Sequence, residues 1–364
     1  MHKTAAWPLA IIYAILVAYA SLYPFSDWRN QGIAPWEFFS APWPKYWTGF
    51  DVAVNVAGYM PLGALLAVGV IRTRLSRHPV ALAAVCGMFL SLLMEGLQNY
   101  LPSRVPSRED WLLNSWGTFV GAGSAVVLEK VGALDRWSAV RARWFVPHAR
   151  GGIVLLATWP LAFVFPAAIP LGVGQVWQRL ELGVIKILQE LPFLRGMPLQ
   201  ATELHPLKPA TEMLCVALGL LIPCLLGFCI IRSMPRRLAW VGMALCAGMF
   251  ASTLSAALTW GPVHAWVWLD LPAKAGLVIG SMLALLMVAV PWRVSAALLL
   301  LVLGVYLSLL NQAPESPYFA QALMLWEQGR FIRFHGLAQW LGWLWPYVAA
   351  VYVTMFLVQR NPQK

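Results

Sequence analysis

The stretch Ser91–Gly117, SLLMEGLQNYLPSRVPSREDWLLNSWG, leaves one apolar run and enters another. Between the two it carries Glu95, Gln98, Asn99, Arg104, Arg108, Glu109, Asp110 and Asn114. Two apolar runs joined by a short polar turn read as two membrane helices that meet at one edge of a bilayer. The rest of the chain supports that reading. It has 364 residues, of which 60% are hydrophobic and only 11% charged, whereas soluble domains run near 25% charged. The net charge of +11 does not point to nucleic acid, because the basic residues lie in short loops between apolar runs.

Working outward, ten apolar segments are long enough to span a bilayer: roughly 7–26, 51–71, 79–101, 111–129, 152–174, 211–231, 238–260, 273–291, 294–311 and 340–358. No strand alternation is visible, so helices are expected. The fold class is therefore all-α, a polytopic membrane helical bundle of about ten transmembrane helices. With the N-terminus inside, the cytoplasmic segments hold 15 of the 26 Lys and Arg residues. Of the acidic residues, only Glu129 and Asp135 lie there. Positive loops stay inside, so the expected topology is N-in and C-in. Ala18-Tyr19-Ala20 resembles a signal-peptide cleavage site, but the apolar run continues through Ser21-Leu22-Tyr23-Pro24-Phe25, which favours an uncleaved first span.

Three modules are expected: a four-span front (1–130), a basic cytoplasmic linker (131–150) and a six-span back (151–364). In the back, Val176, Leu180, Val184, Ile187, Leu188 and Leu191 have helical spacing, so an amphipathic outer segment is expected near 175–195, with a looser counterpart near 317–334. All five cysteines, Cys86, Cys215, Cys224, Cys229 and Cys246, fall in apolar runs and read as small buried hydrophobes.

This topology places the opening stretch. The third span ends outside with Glu95 and Gln98, and the fourth starts there with Asp110 and Asn114. The second span also starts outside, with Asp51 and Asn55. Each pair is three or four residues apart and so shares a helix face. Polar side chains facing lipid are costly, so the six should face inward and converge, with Arg104 and Arg108 above them. Each residue also has a plainer reading. Asp51 and Asp110 complement a helix N-terminus. Asn55, Gln98 and Asn114 serve as interhelical glue. Arg104 pairs Glu95 or snorkels. Pro61 kinks the second span. Gly58, Gly63, Gly117, Gly121 and Gly123 mark close packing. Trp28, Trp36, Trp43, Trp47, Trp340, Trp343 and Trp345 fit an interfacial belt, some with a sugar-stacking role.

These front residues resemble the VanZ-like family of bacterial membrane proteins. The resemblance rests on Ser21-Leu22-Tyr23-Pro24-Phe25, Asp51-x3-Asn55-x5-Pro61-x-Gly63, Glu95-x2-Gln98, Arg104 and Asp110-x3-Asn114-x2-Gly117. It covers about residues 5–130 and implies an inner-membrane protein of cell-envelope biology. The family's founding member is associated with resistance to the lipoglycopeptide teicoplanin, and the family has no settled reaction. Where Arg108 stands, the resemblance leads to an acidic or apolar residue, so a cation in the acid cluster is a departure that bears on ligand preference or pairs Asp110.

The expected function is binding or handling of a lipid-linked glycan, a peptidoglycan precursor or a glycopeptide-like ligand at the outer leaflet. The expected ligand-binding residues are Asp51, Asn55, Glu95, Gln98, Arg104, Arg108, Asp110 and Asn114, with membrane lipids as the surrounding partners. The alternative is a membrane-embedded transferase or hydrolase with Glu95 or Asp110 as base and Arg104 steadying negative charge. Transport and scaffolding are further alternatives. The absence of a repeat or a midplane charge in the back half argues against transport. No cofactor is expected. His205, His264 and His335, with Glu203 and Asp270, show no metal-ligand spacing, and no nucleotide or nucleophile motif is present.

Overall fold

The computed structural model describes residues 6–23, 25, 27–40, 49–147, 149–164, 167, 169–190, 204–314 and 332–359. Among these residues there are twelve α-helices and no strand. Seven helices are long and apolar enough to cross a membrane, and three shorter apolar helices cover Ala6–Leu22, Arg150–Phe163 and Leu271–Leu286. The protein is a multi-pass helical membrane protein. It divides into two compact units, Met1–Val140 and Arg141–Lys364.

The first unit contains α1 (Ala6–Leu22), α2 (Gly49–Thr73), α3 (Pro79–Gln98) and α4 (Arg108–Lys130), with α5 (Ala133–Trp144) starting at its end. Helix–helix contact here rests on missing side chains. A methyl group at Gly63 would overlap the Thr118 carbonyl, one at Gly117 the Val56 carbonyl, and one at Gly121 the Met60 carbonyl. The backbones of α2 and α4 therefore touch, as small residues permit when lipid gives no hydrophobic drive between helices. A methyl at Gly87 would meet the Thr118 side chain, which seats α3 on α4. Gly58 and Gly123, expected as packing positions, face open space instead. Tyr13 of α1 donates to the Gly58 carbonyl at 2.8 Å. Pro61 lies inside α2, which continues through it. At the end that the charge pattern assigns to the cytoplasm, Arg72 pairs with Glu129 at 3.2 Å and Asp135 at 3.7 Å.

The second unit is organised around α8 (Pro209–Ile230), which is buried continuously from Cys215 to Ile230. A helix that is apolar on every side belongs in a protein interior. The α6 (Arg150–Thr158), α9 (Met234–Trp260), α10 (Leu271–Leu286) and α11 (Trp292–Leu310) helices pack on it. α10 does so through Gly276 against the Met213 carbonyl and Gly280 against the Ala217 carbonyl. The remaining helices are α7 (Trp177–Glu190) and α12 (Ile332–Gln359). α7 carries the expected amphipathic pattern, with Leu180, Val184 and Ile187 exposed.

The span expected as one run over 152–174 is broken. α6 stops at Thr158, a short 3₁₀ turn covers Pro160–Phe163, and the described residues from there to Val176 form no helix. Proline cannot donate to a helical ladder, and Pro160 and Pro170 lie in this segment. Leu171, at φ 57°, lies beside Gly219 and Gly248, both near the centres of long helices, so irregular backbone reaches membrane depth. That is tolerated only where its polar groups are answered. Tyr306 accepts the Val173 N–H at 2.7 Å and donates to the Leu171 carbonyl at 2.8 Å. Ser255 donates to the Val164 carbonyl at 3.2 Å. The Gly174 N–H donates to the Gly342 carbonyl at 2.8 Å, and at φ 98° a side chain on Gly174 would strike Pro346 and Leu307.

Other expectations need correction. Trp345 is no interfacial residue: it is 2% exposed and donates to the Leu155 carbonyl at 2.9 Å inside the second unit. Cys86 and Cys246 lie on exposed helix faces, while Cys215, Cys224 and Cys229 are buried as expected. Trp43, Trp47, Glu203 and most of 317–334 lie outside the described residues.

Candidate functional site

The polar edge of the first unit is built from the start of α4 outward. Ser107 caps α4, its hydroxyl oxygen accepting the Asp110 N–H at 3.1 Å. This Ser-x-x-Asp arrangement answers one of the four N–H groups that every helix start leaves open. The Ser107 hydroxyl donates to Glu109 at 2.8 Å, and Arg108 pairs with the same carboxylate at 3.2 Å. Arg108 thus forms an ion pair with Glu109, the chain neighbour of Asp110. Arg108 also reaches the Phe39 carbonyl at 3.4 Å.

Glu95 is 2% exposed, and its carboxylate accepts the Ser107 N–H at 2.8 Å. A buried carboxylate needs a donor, and the last turn of α3 therefore grips the cap of α4. Asn55 donates to Asp110 at 2.7 Å, joining α2 to α4. Asn114 donates to Ser91 at 3.0 Å, joining α4 to α3. Asp51 is exposed in the first turn of α2, one turn before Asn55.

Gln98 and Arg104 perform a different task. Gln98 donates to the Ser21 carbonyl at 3.0 Å. Arg104 donates to the Tyr23 carbonyl at 3.0 and 2.7 Å and to the Ala20 carbonyl at 3.3 Å. α1 ends at Leu22, so these are the carbonyls a helix C-terminus leaves open, at the negative end of its dipole. Arg104 is the C-terminal clamp of α1. The loop before α2 docks nearby. Asn99 donates to the Ile33 carbonyl at 2.7 Å, and Gln31 donates to the Asn99 carbonyl at 2.7 Å. Phe39 meets Trp111 edge to face at 5.3 Å, and Trp36 is exposed beside this loop.

The structure thus brings Asn55, Glu95, Asp110 and Asn114 into one layer, with Ser107 and Glu109 at its edge. It directs Gln98 and Arg104 to α1 and leaves Asp51 at the surface. Sequence reading missed three members, Ser91, Ser107 and Tyr59, and counted Glu109 in the polar edge without giving it a role. The Ser107-x-x-Asp110 cap and the four-residue steps from Ser91 to Glu95 and from Asn55 to Tyr59 were available signals. Tyr59 is buried beside Val17 and Leu62, and its polar neighbours are Ser91, Glu95, Ser21 and Asp110. The Tyr59 hydroxyl lies within hydrogen-bonding reach of Ser91 and Ser21, and the Asn114 Oδ1 is buried without a hydrogen-bond partner. Most buried polar groups in native proteins are partnered, and the open Asn114 Oδ1 is an acceptor to spare within this layer. Among the described residues, no group of three or more His, Cys, Asp or Glu is placed to hold a metal ion. In the second unit Asp270 caps α10 by accepting the Ala273 N–H at 2.9 Å.

No curated protein and no solved structure matches the chain. The model of the VanZ/LLP1 family matches residues 9–129, which run from α1 to the last turn of α4 and include every residue of the polar layer. The N-terminal part of the chain is a VanZ-like segment.

Proposed function

We propose that the VanZ-like segment binds a cell-envelope amphiphile, a lipid-linked glycan or glycopeptide-like ligand, at the outer face of the bacterial inner membrane. The observation that carries this is the layer itself, in which the buried Glu95 carboxylate, Asp110 and the open Asn114 Oδ1 lie together at one end of the bundle. The ligand chemistry follows from the side chains. Asn114 Oδ1 and the carboxylates of Glu95, Asp110 and Glu109 accept hydrogen bonds, so hydroxyl and amine groups are favoured over phosphate. Arg104, the expected phosphate contact, is committed to the end of α1. Exposed Trp36 and the Phe39–Trp111 pair supply an amphipathic rim.

Tyr59→Phe tests this reading, because it removes one buried hydroxyl of the layer and leaves the ring packed beside Val17 and Leu62. Folded yield should hold and the thermal midpoint should fall by no more than a few degrees, the loss of about one net hydrogen bond. Binding of a fluorescent lipid-linked glycan to the full chain in nanodiscs should weaken by about three- to tenfold, the worth of one hydrogen bond. Unchanged affinity would contradict the reading. Conversion of the glycan by the wild-type protein would move it to a membrane-embedded transferase or hydrolase.

A further inference from the structure

The second unit carries a feature that the polar layer of the first does not explain. On α11, Leu301, Gly304 and Ser308, followed by Gln312 just past its end, are spaced three and four residues apart and share one exposed face. A groove of about 460 Å³ runs along this face, lined by Leu300, Leu301, Gly304, Val305, Ser308 and Leu309. At Ser308 it meets a second cavity of about 390 Å³, whose walls include Trp177, Gln312 and Tyr347. Gly304 leaves the middle of the groove without a side chain, and an added Cβ there would meet nothing within 4 Å.

We propose that the two cavities together bind one membrane amphiphile with a neutral, hydroxyl-rich headgroup, the hydrocarbon tail in the Gly304 groove and the head between Trp177, Tyr347 and Gln312. Polarity rises in one direction along the face. Leu301 and Val305 lie at the tail end, Ser308 at the junction and Gln312 at the end that the charge pattern assigns to the outside. That is the polarity order of a single-leaflet lipid. The exposed Ser308 hydroxyl lies on a membrane-spanning helix, and among the described residues neither it nor the Gln312 amide has a hydrogen-bond partner. Such a hydroxyl facing hydrocarbon is unfavourable without a partner.

The head pocket is preorganised and uncharged. Asn311 Oδ1 accepts the Val176 and Trp177 N–H groups at 3.0 and 2.9 Å, and its Nδ2 donates to the Leu307 carbonyl at 2.8 Å. It thereby fixes Trp177 where α7 begins. The Tyr347 hydroxyl donates to the Gly174 carbonyl at 3.1 Å, which holds that ring in the opposite wall. No lining residue of either cavity is charged, so neither a phosphate nor an ammonium head is selected. Two aromatic faces beside a free amide suit the alternating C–H and hydroxyl surfaces of a sugar ring.

The test is native mass spectrometry of the full chain, released from an amine-oxide detergent. It is loaded with equal amounts of a monoglycosyl diacylglycerol, a phosphatidylcholine and a phosphatidylglycerol. The wild type should retain one glycosyl lipid with at least about fivefold preference over either phospholipid. Gly304→Leu fills the groove without touching backbone and should cut retention about tenfold, since several methylenes lose their contact. Gln312→Ala, an exposed change with no structural partner, should reduce the glycosyl preference and leave phospholipid retention unaltered, and it carries the test alone if Gly304→Leu fails to fold. Equal retention of all three lipids would mean an ordinary annular lipid and would overturn the proposal. So would full retention by folded Gly304→Leu together with an unchanged preference in Gln312→Ala.

Discussion

Gly121→Leu is expected to abolish the folded state of the first unit. A single methyl there already overlaps the Met60 carbonyl, and that carbonyl belongs to helix backbone that cannot rotate aside. The only relief is to drive α2 and α4 apart. That separation would also break the Asn55–Asp110 bond and open the contacts of Gly63 with Thr118 and of Gly117 with Val56. Overpacking a core typically costs about 1–3 kcal/mol per added group. A change that separates two backbones along several turns lies above that range, against a total stability of only about 5–15 kcal/mol for a typical domain. Monodisperse yield in detergent is the measurement. Gly123→Leu is the control: its Cβ meets open space, so the same side chain should be accepted two residues away.

Arg104→Ala should release the end of α1. Its guanidinium answers the Tyr23 and Ala20 carbonyls, and hydrogen bonds to charged groups contribute about 1.5–3 kcal/mol each when buried. Arg104 is only half-buried, and water can take over part of its role, so the expected loss is about 3 kcal/mol in total. Arg104→Lys should recover only part of it, because an ammonium cannot span two carbonyls in the plane of a guanidinium fork. The diagnostic readout is proteolysis between α1 and α2, which should quicken in Arg104→Ala while cleavage between α3 and α4 stays slow. Ligand affinity measured on the folded fraction should change little, since Arg104 holds α1 and does not line the buried layer.

These outcomes bear on what the sequence disclosed. Hydropathy and length located the apolar helices, and helical spacing put Asn55, Glu95, Asp110 and Asn114 at one depth, because both signals are local. Partner choice is not local. Arg104 caps a helix more than 80 residues earlier in the chain, and no spacing rule connects an arginine in one loop to the C-terminus of a distant helix. Tyr59 and Ser91 were passed over because a tyrosine or serine in an apolar run resembles ordinary filling until its neighbours are known. The broken span over 152–174 was open to reading from its prolines, but its mean hydropathy resembles that of an intact helix. What allows it to stay irregular is a set of side chains, Tyr306 above all, contributed from far along the chain.

The central claim is that the buried polar layer recognises a ligand as well as tying helices together. Glu95→Gln tests it most directly, because a glutamine carbonyl can still accept the Ser107 N–H while the carboxylate charge is lost. The measurement is affinity for the fluorescent lipid-linked glycan, taken beside thermal stability on the same nanodisc preparation. The account predicts a midpoint within a few degrees of the wild type and an affinity reduced about tenfold or more, the difference between a charged and a neutral acceptor. Full affinity with unchanged stability would contradict it, and would leave Glu95 as a pin between α3 and α4.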